Sequence, residues 1–68
     1  MNMTPVSSSN IASIGYVSGT LYVLFHSGGL YEYYNVPESV YLGLMMADSH
    51  GKFLASQVKG IYPYRRIR

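Results

Sequence analysis

The chain has 68 residues, no cysteine, eight tyrosines and a formal net charge of +2 at pH 7. Disulfide bonds and cysteine-based zinc sites are therefore excluded. We expect residues 1–68 to form a single domain that buries only about 60% of its unfolded surface, so its stability should be marginal. Charged residues make up 12% of the chain, against an average of about 25%. This low share favours a surface that is partly covered in the native assembly.

The chain shows no targeting or membrane signal in its hydropathy. It has no basic segment followed by an apolar run, which a signal peptide would require. No apolar stretch approaches the roughly 18 residues that a membrane-spanning helix needs. We therefore expect a cytoplasmic protein that does not associate with a membrane.

Alternation of apolar residues predicts a three-stranded antiparallel meander, which follows a loose polar lead-in at residues 1–9. The predicted strands cover about residues 11–17, 20–26 and 30–35. Ser18 and Gly19 suit a two-residue turn, since Gly adopts positive φ without cost. This turn pairs Tyr16 with Leu21 and puts the apolar side chains of both strands on one sheet face.

The second hairpin is predicted to have a three-residue loop, Ser27–Gly29. A two-residue loop would place Glu32 on the core face, and burying an unpaired carboxylate is costly. The three-residue loop instead pairs Phe25 with Tyr31 and sends Glu32 outward beside Leu24.

Helical spacing of apolar residues begins where the alternation stops. It predicts a helix over about residues 37–48 and a shorter helix over about residues 51–58. Pro37 suits the first helical position, where its missing N–H has no partner in any case. Gly51 is expected to end the first helix as a left-handed residue. The fold class is therefore α+β, with the sheet packed against both helices.

A basic segment with interleaved tyrosines, residues 61–68, closes the chain. Because Pro63 interrupts it, we expect an extended tail or an edge strand. Arginine and lysine can contact phosphates while tyrosines stack on bases, the mixture used to bind single-stranded RNA. Tyr22 and Tyr34, predicted opposite each other on the outer sheet face, form a second platform. The candidate nucleic-acid-binding residues are Tyr22, Tyr34, Lys59, Tyr62, Tyr64, Arg65, Arg66 and Arg68. The alternative is an ordinary solvated tail with normal cross-strand packing.

The first predicted helix also has apolar residues on the sides that do not face the core, so it is apolar almost all round. They indicate either a wider buried face or a contact surface for another chain, since methionine is common at adaptable interfaces. The candidate protein-interface residues are Leu42, Met45, Met46 and Leu54. The partner would be a second copy or a host protein.

The sequence offers little for catalysis or metal binding. His26 and His50 are the only histidines, and no spacing typical of a zinc site is present. No glycine-rich phosphate loop occurs, and nothing places Asp48 to orient His50 as in a serine–histidine–aspartate site. We expect no cofactor, no metal, no catalytic residue and no enzymatic activity.

Several short motifs follow one another along the chain. They are Val6-Ser7-Ser8, Ile14-Gly15-Tyr16, Tyr31-x-Tyr33, Val36-Pro37 and Ala47-x-Ser49-x-Gly51-Lys52-Phe53. In this order they resemble the KTSC domain family, over about residues 6–64. The resemblance implies a short bacterial domain that occurs at the C-terminal end of some lysyl-tRNA synthetases and also alone, including in phage genomes.

The resemblance suggests RNA binding and supplies no catalytic residue. The motif positions that carry over are Ser7, Ser8, Tyr31, Tyr33, Ser49, Gly51 and Lys59. One departure is Ala55, because the family often has Asn shortly after the aromatic residue that follows Gly51-Lys52. A polar contact made by that Asn would be missing here.

Two functions from different classes stay open. One is a small RNA- or nucleotide-binding module that uses tyrosines and the basic tail. The other is a protein-interaction module that uses the apolar helix face, either for self-association or to bind a host protein, for example as a phage-encoded antagonist.

Overall fold

Residues 2–68, which the computed structural model describes, form a five-stranded antiparallel sheet and two helices. The elements are β1 (Thr4–Pro5), β2 (Ile11–Val17), β3 (Thr20–Phe25), β4 (Leu30–Tyr33), α1 (Glu38–Met46), α2 (His50–Gln57) and β5 (Tyr64–Arg66). The strands lie side by side in chain order, and the helices pack on one face of the sheet. The predicted α+β class is confirmed.

The prediction of only three strands is wrong, because the sheet has an additional short strand at each edge. Thr4 pairs with Ile14, and the N–H of Val6 donates to the carbonyl of Ala12 at 3.1 Å, so part of the lead-in is ordered on the sheet. Pro5 is tolerated because β1 is an edge strand. At the opposite edge β5 pairs with β4, so the basic tail forms an edge strand.

The first hairpin has the predicted register, with Tyr16 opposite Leu21 and Ile14 opposite Val23. Its two turn residues both have positive φ, 46° for Ser18 and 86° for Gly19. This is the turn geometry that matches the right-handed twist of antiparallel strands.

The second hairpin has a three-residue loop, as predicted, but the loop starts one residue earlier. Phe25 and Gly29 flank it, and the N–H of Phe25 donates to the carbonyl of Gly29 at 2.9 Å. Gly28 supplies the positive φ, 99°. Tyr31 therefore pairs with Val23, and the predicted pairing with Phe25 is wrong by two residues. Because the shift is even, Tyr31 still lies on the core face.

The helices begin and end differently from the prediction at the junction between them. Pro37 is the N-cap of α1 and lies one residue before its first helical position. Ser49 caps α2, since its hydroxyl accepts the N–H of Lys52 at 3.2 Å. Gly51 therefore belongs to the first turn of α2 and does not end α1.

Apolar side chains from the sheet and both helices form one core. Among the described residues, the buried apolar side chains are those of Ile11, Ile14, Leu21, Val23, Tyr33, Val36, Leu44, Leu54 and Val58. Leu54 is 1% exposed, so its assignment to a protein interface is wrong. Alongside this core Tyr16 stacks on Tyr41, with ring centroids 4.8 Å apart. This contact fixes α1 against β2.

Candidate aromatic groove

A groove of about 630 Å³ opens on the helix-facing side of the sheet, where β4 and β5 meet the chain that follows α2. We call it the aromatic groove. It is lined by Asn10, Phe25, Ser27, Gly29, Tyr31, Tyr33, Lys59, Gly60, Tyr64 and Arg66. This volume is typical of a small-molecule site, for which the usual range is about 300–1,000 Å³.

Strand alternation and pairing bring the aromatic residues of the groove together. Tyr31 and Tyr33 are two positions apart on β4, so both face the helices. β5 pairs Tyr64 with Tyr33 and Arg66 with Tyr31, which puts these two residues on the same side. The ring centroid of Tyr64 is 5.9 Å from that of Tyr31 and 5.8 Å from that of Tyr33. The three rings form one cluster.

Two cations lie over aromatic rings of the groove. The Arg66 guanidinium is 5.8 Å from the ring centroid of Tyr31, and the Lys59 ammonium is 5.4 Å from that of Phe25. Both distances are within cation–π range. Lys59 lies in the turn that follows α2, directly before Gly60, whose φ is 77°.

The groove is electropositive, and one of its tyrosines has a raised pKa. Burial, followed by the neighbouring Tyr31 and Tyr64, raises the pKa of Tyr33 above 10.0. Within residues 2–68, Lys59 and Arg66 are the charged residues of the lining, and no carboxylate joins them. The arrangement therefore suits a ligand that has both a flat aromatic part and a negative charge.

Comparison with known proteins identifies the family. A sequence model described as the KTSC domain matches residues 7–62. The chain belongs to the KTSC domain family. A protein of Tsukamurella paurometabola is 41% identical over 59 residues, which cover 84% of this chain and 88% of that protein. The crystal structure of KTSC domain protein YPO2434 from Yersinia pestis is similar, with a TM-score of 0.93 and 39% identity over 98% of this chain and 97% of that one.

The serine and glycine motif positions of this KTSC domain lie together at a second, polar depression of about 550 Å³. It includes Ser7, Ser8, Ser49 and Gly51, and also Ala55, the position of the family departure. The Ser8 hydroxyl accepts the N–H of Ile11 at 3.2 Å and donates to Oδ1 of Asn10 at 3.1 Å.

Gly51 in turn lets Asn10 come close to α2. A Cβ at Gly51 would be 2.7 Å from Oδ1 of Asn10. Together with the Ser49 cap, these contacts give the motif residues a structural role in holding the N-terminal loop against the start of α2.

The predicted nucleic-acid-binding residues divide between the two faces of the sheet. Lys59, Tyr64 and Arg66 line the aromatic groove. Arg65, the neighbour of two of them, faces the other way and pairs with Glu32. The predicted pairing of Tyr22 with Tyr34 is wrong, because Tyr22 pairs with Glu32.

On this outer face Tyr34 donates a hydrogen bond to Glu32 at 2.7 Å, which raises the pKa of Tyr34. The last two candidate residues lie away from the cluster. Tyr62 is half-buried and packs against the core. Arg68 donates from Nε to the carbonyl of Gly28 at 3.5 Å, beside the hairpin loop.

Sequence reasoning assigned Tyr31 and Tyr33 only to the family motif and did not place Phe25 or Asn10 in a site. Alternation along β4 correctly put both tyrosines on the core face. The contribution of Phe25 and Asn10 depends on the bend after α2 and on the pairing of β5, and local pattern does not determine either feature.

The candidate interface residues also differ in exposure. Met46 is 84% exposed and Leu42 is 49% exposed on α1. Met45 is half-buried and packs against the core. Within residues 2–68, no helix is long and apolar enough to cross a membrane, and no three side chains of the metal-ligating types form a cluster.

Proposed function

We propose that this KTSC domain is a small, non-enzymatic binding module that takes a nucleotide or single-stranded RNA in the aromatic groove. The observation that carries the proposal is the pairing of β5 with β4. This pairing places Tyr64 and Arg66 beside the family's Tyr31 and Tyr33, with Lys59 completing the rim. The proposal includes a cytoplasmic location, where both kinds of ligand are abundant.

The groove has the two kinds of group that nucleotide binding needs. Tyr64 is 60% exposed, so a ring face is accessible for a base, and stacking of one base contributes about 1–3 kcal/mol. On the groove side Lys59 lies over the ring of Phe25 and Arg66 lies over that of Tyr31, while Nε of Arg66 donates to the carbonyl of Arg68 at 3.1 Å. The ammonium of Lys59 and the two terminal nitrogens of the Arg66 guanidinium can therefore turn to a phosphate, which arginine binds in a two-point geometry.

The test is a titration of the isotopically labelled domain with a short single-stranded RNA at low salt, followed by NMR. We expect shifts at Tyr64, Arg66 and Lys59, and binding that weakens as salt rises. Arg66→Ala should weaken binding about tenfold or more, since a hydrogen bond to a charged group contributes about 1.5–3 kcal/mol.

The matched control is Arg65→Ala, which removes the same charge from the next residue of the same strand on the opposite face. It should change affinity much less than Arg66→Ala. Equal losses for the two variants, or no binding at low salt, would contradict the proposal.

A protein-interaction module is the second candidate function, favoured by the exposure of Met46 and Leu42 on α1. The partner would be a second copy or, in a bacterial or phage setting, a host protein.

For self-association, light scattering should give more than the monomer mass for the wild type and a monomer for Met46→Glu. Ser39→Glu, at another exposed position of α1, is the matched control and should not dissociate the assembly. A wild type that is monomeric at every concentration would contradict self-association.

A further inference from the structure

We infer that the aromatic groove holds one phosphorylated nucleotide, either free or at the end of an RNA chain, and not an internal run of a strand. The inference rests on the proposed function and narrows its ligand to a single base with its terminal phosphate. Two features of the groove carry it: the number of open ring faces and the placement of the cations.

The aromatic rings of the groove leave one face open for stacking. Tyr33 is 3% exposed, so its ring is unavailable. Arg66 lies over Tyr31 and Lys59 lies over Phe25. Tyr64, 60% exposed, is therefore the accessible platform among the described residues of the groove.

No second base fits between the rings either. The centroids of Tyr31 and Tyr33 are 6.4 Å apart, which is within the range of about 4.5–7 Å for aromatic rings in direct contact. A base inserted between two rings would need two stacking distances. The geometry provides one platform, on Tyr64.

The cations do not form a track along which a strand could run. Lys59 and Arg66 line the groove, whereas Arg65 pairs across the sheet with Glu32 and is directed to the outer face. Arg68 is bonded to the hairpin carbonyl of Gly28, and Lys52 lines the separate polar depression. Successive phosphates of an extended strand would have no matching cations among the described residues, whereas one terminal phosphate could engage both groove cations.

One wall of the groove is built by the second hairpin and the N-terminal loop. The second hairpin contributes Ser27 and Gly29, and the N-terminal loop contributes Asn10. A Cβ at Gly29 would be 3.3 Å from Cε1 of Tyr31 and 3.7 Å from the carbonyl oxygen of Arg68. The wall is therefore tightly packed at Gly29, where a side chain would have no room.

The experiment compares adenosine 5′-monophosphate, adenosine, a short linear RNA with a 5′-phosphate, the same RNA without it, and its circular form. Calorimetry at low salt measures each affinity. We expect adenosine monophosphate and the 5′-phosphorylated RNA to bind with similar affinity, and adenosine, the unphosphorylated RNA and the circle to bind at least about tenfold more weakly. The salt slope of the phosphorylated RNA should be about −1.4, for two contacts at about 0.7 each.

Variants test the assignment of each group. Lys59→Ala and Arg66→Ala should each remove most of the advantage of the monophosphate over adenosine, and Lys52→Ala should leave it unchanged. Tyr64→Ala should weaken both ligands, whereas Tyr64→Phe, which keeps the ring, should not. Amide NMR spectra establish that each variant is folded.

The outcomes separate the inference from the proposed function. Circular RNA that binds as tightly as the linear form, with a salt slope of about −3 or steeper, would overturn the single-nucleotide inference and leave the proposed function standing. Adenosine that binds as tightly as its monophosphate would also overturn the inference. If no nucleotide or RNA binds, the proposed function fails and the inference fails with it.

Discussion

Glu32 determines which tyrosines of β4 can line a site. A carboxylate between two tyrosines must face solvent, since burying it unpaired would be costly, and strand alternation then turns Tyr31 and Tyr33 to the core side. This argument uses only the residues themselves, so it survived the two-residue error in pairing. The structural role of Ser49 could not be derived in the same way. Its use as a cap depends on where α1 stops, and a sequence with Gly51 nearby suggests a different end for that helix.

Tyr33 connects the core with the groove, and its titration should be measurable. Its pKa is raised above 10.0, mainly by burial. Above that pH the unfolded chain loses the proton more readily than the folded one, so this tyrosine contributes stability that is complete below about pH 10 and is lost as pH rises. We predict that Tyr33→Phe loses less free energy of unfolding than the wild type between about pH 8 and about pH 11.

Urea unfolding followed by circular dichroism measures this difference. At pH 8 the two proteins should have similar stability, because the tyrosine is neutral in both the folded and the unfolded state at that pH. The same alkaline loss in both proteins would show that Tyr33 does not titrate as its environment indicates.

Among the elements, the second hairpin shows how far the alternation of polar and apolar residues can predict the pairing register of two strands. Excluding a buried carboxylate selects a loop of odd length, but it does not distinguish registers that differ by two residues. The register follows from Gly28, which has the positive φ of the loop, and from Gly29, which lies beside Tyr31 and Arg66. The contact at Gly29 depends on β5, more than thirty residues later in the chain. It could not be predicted locally for that reason.

The contact between the two helices depends on Gly43. A Cβ there would be 2.8 Å from Cζ of Phe53, whose ring is half-buried against the core. Replacing Gly by Ala in a helix gains about 1 kcal/mol, whereas overpacking costs about 1–3 kcal/mol. We predict that Gly43→Ala lowers the free energy of unfolding by up to about 2 kcal/mol, measured by urea denaturation.

A second variant isolates the ring as the cause. In a Phe53→Leu background the clash is relieved, and the same Gly43→Ala change should become neutral or stabilising by up to about 1 kcal/mol. A stabilising effect of Gly43→Ala in the wild type would mean that the ring moves aside freely, and the close helix contact would then have no energetic cost.

For the molecule as a whole, the aromatic groove forms only when segments that are distant in the sequence fold together. Its rim is drawn from the N-terminal loop, two hairpin strands, the residues after α2 and the last strand. Composition and alternation predicted the α+β class, three of the strands and both helices because these depend on neighbours in sequence. The N-terminal edge strand and the groove were missed, and the last segment was predicted only as either a tail or an edge strand, because short segments with proline carry little pattern of their own and depend on the sheet already formed.

A small core makes each buried residue important to the whole. A chain of this length is expected to have a total stability of about 3–10 kcal/mol. Leu54 is 1% exposed in the centre of the core, whereas Met46 is 84% exposed on the adjacent helix. We predict that Leu54→Ala lowers the free energy of unfolding by about 2–5 kcal/mol, a large share of the total, and that Met46→Ala changes it by less than about 0.5 kcal/mol. Thermal and urea unfolding of the two variants measure the contrast. If Leu54→Ala unfolded like the wild type while Met46→Ala did not, α2 could not be packed on the sheet as described, and Lys59 would lose its place at the groove.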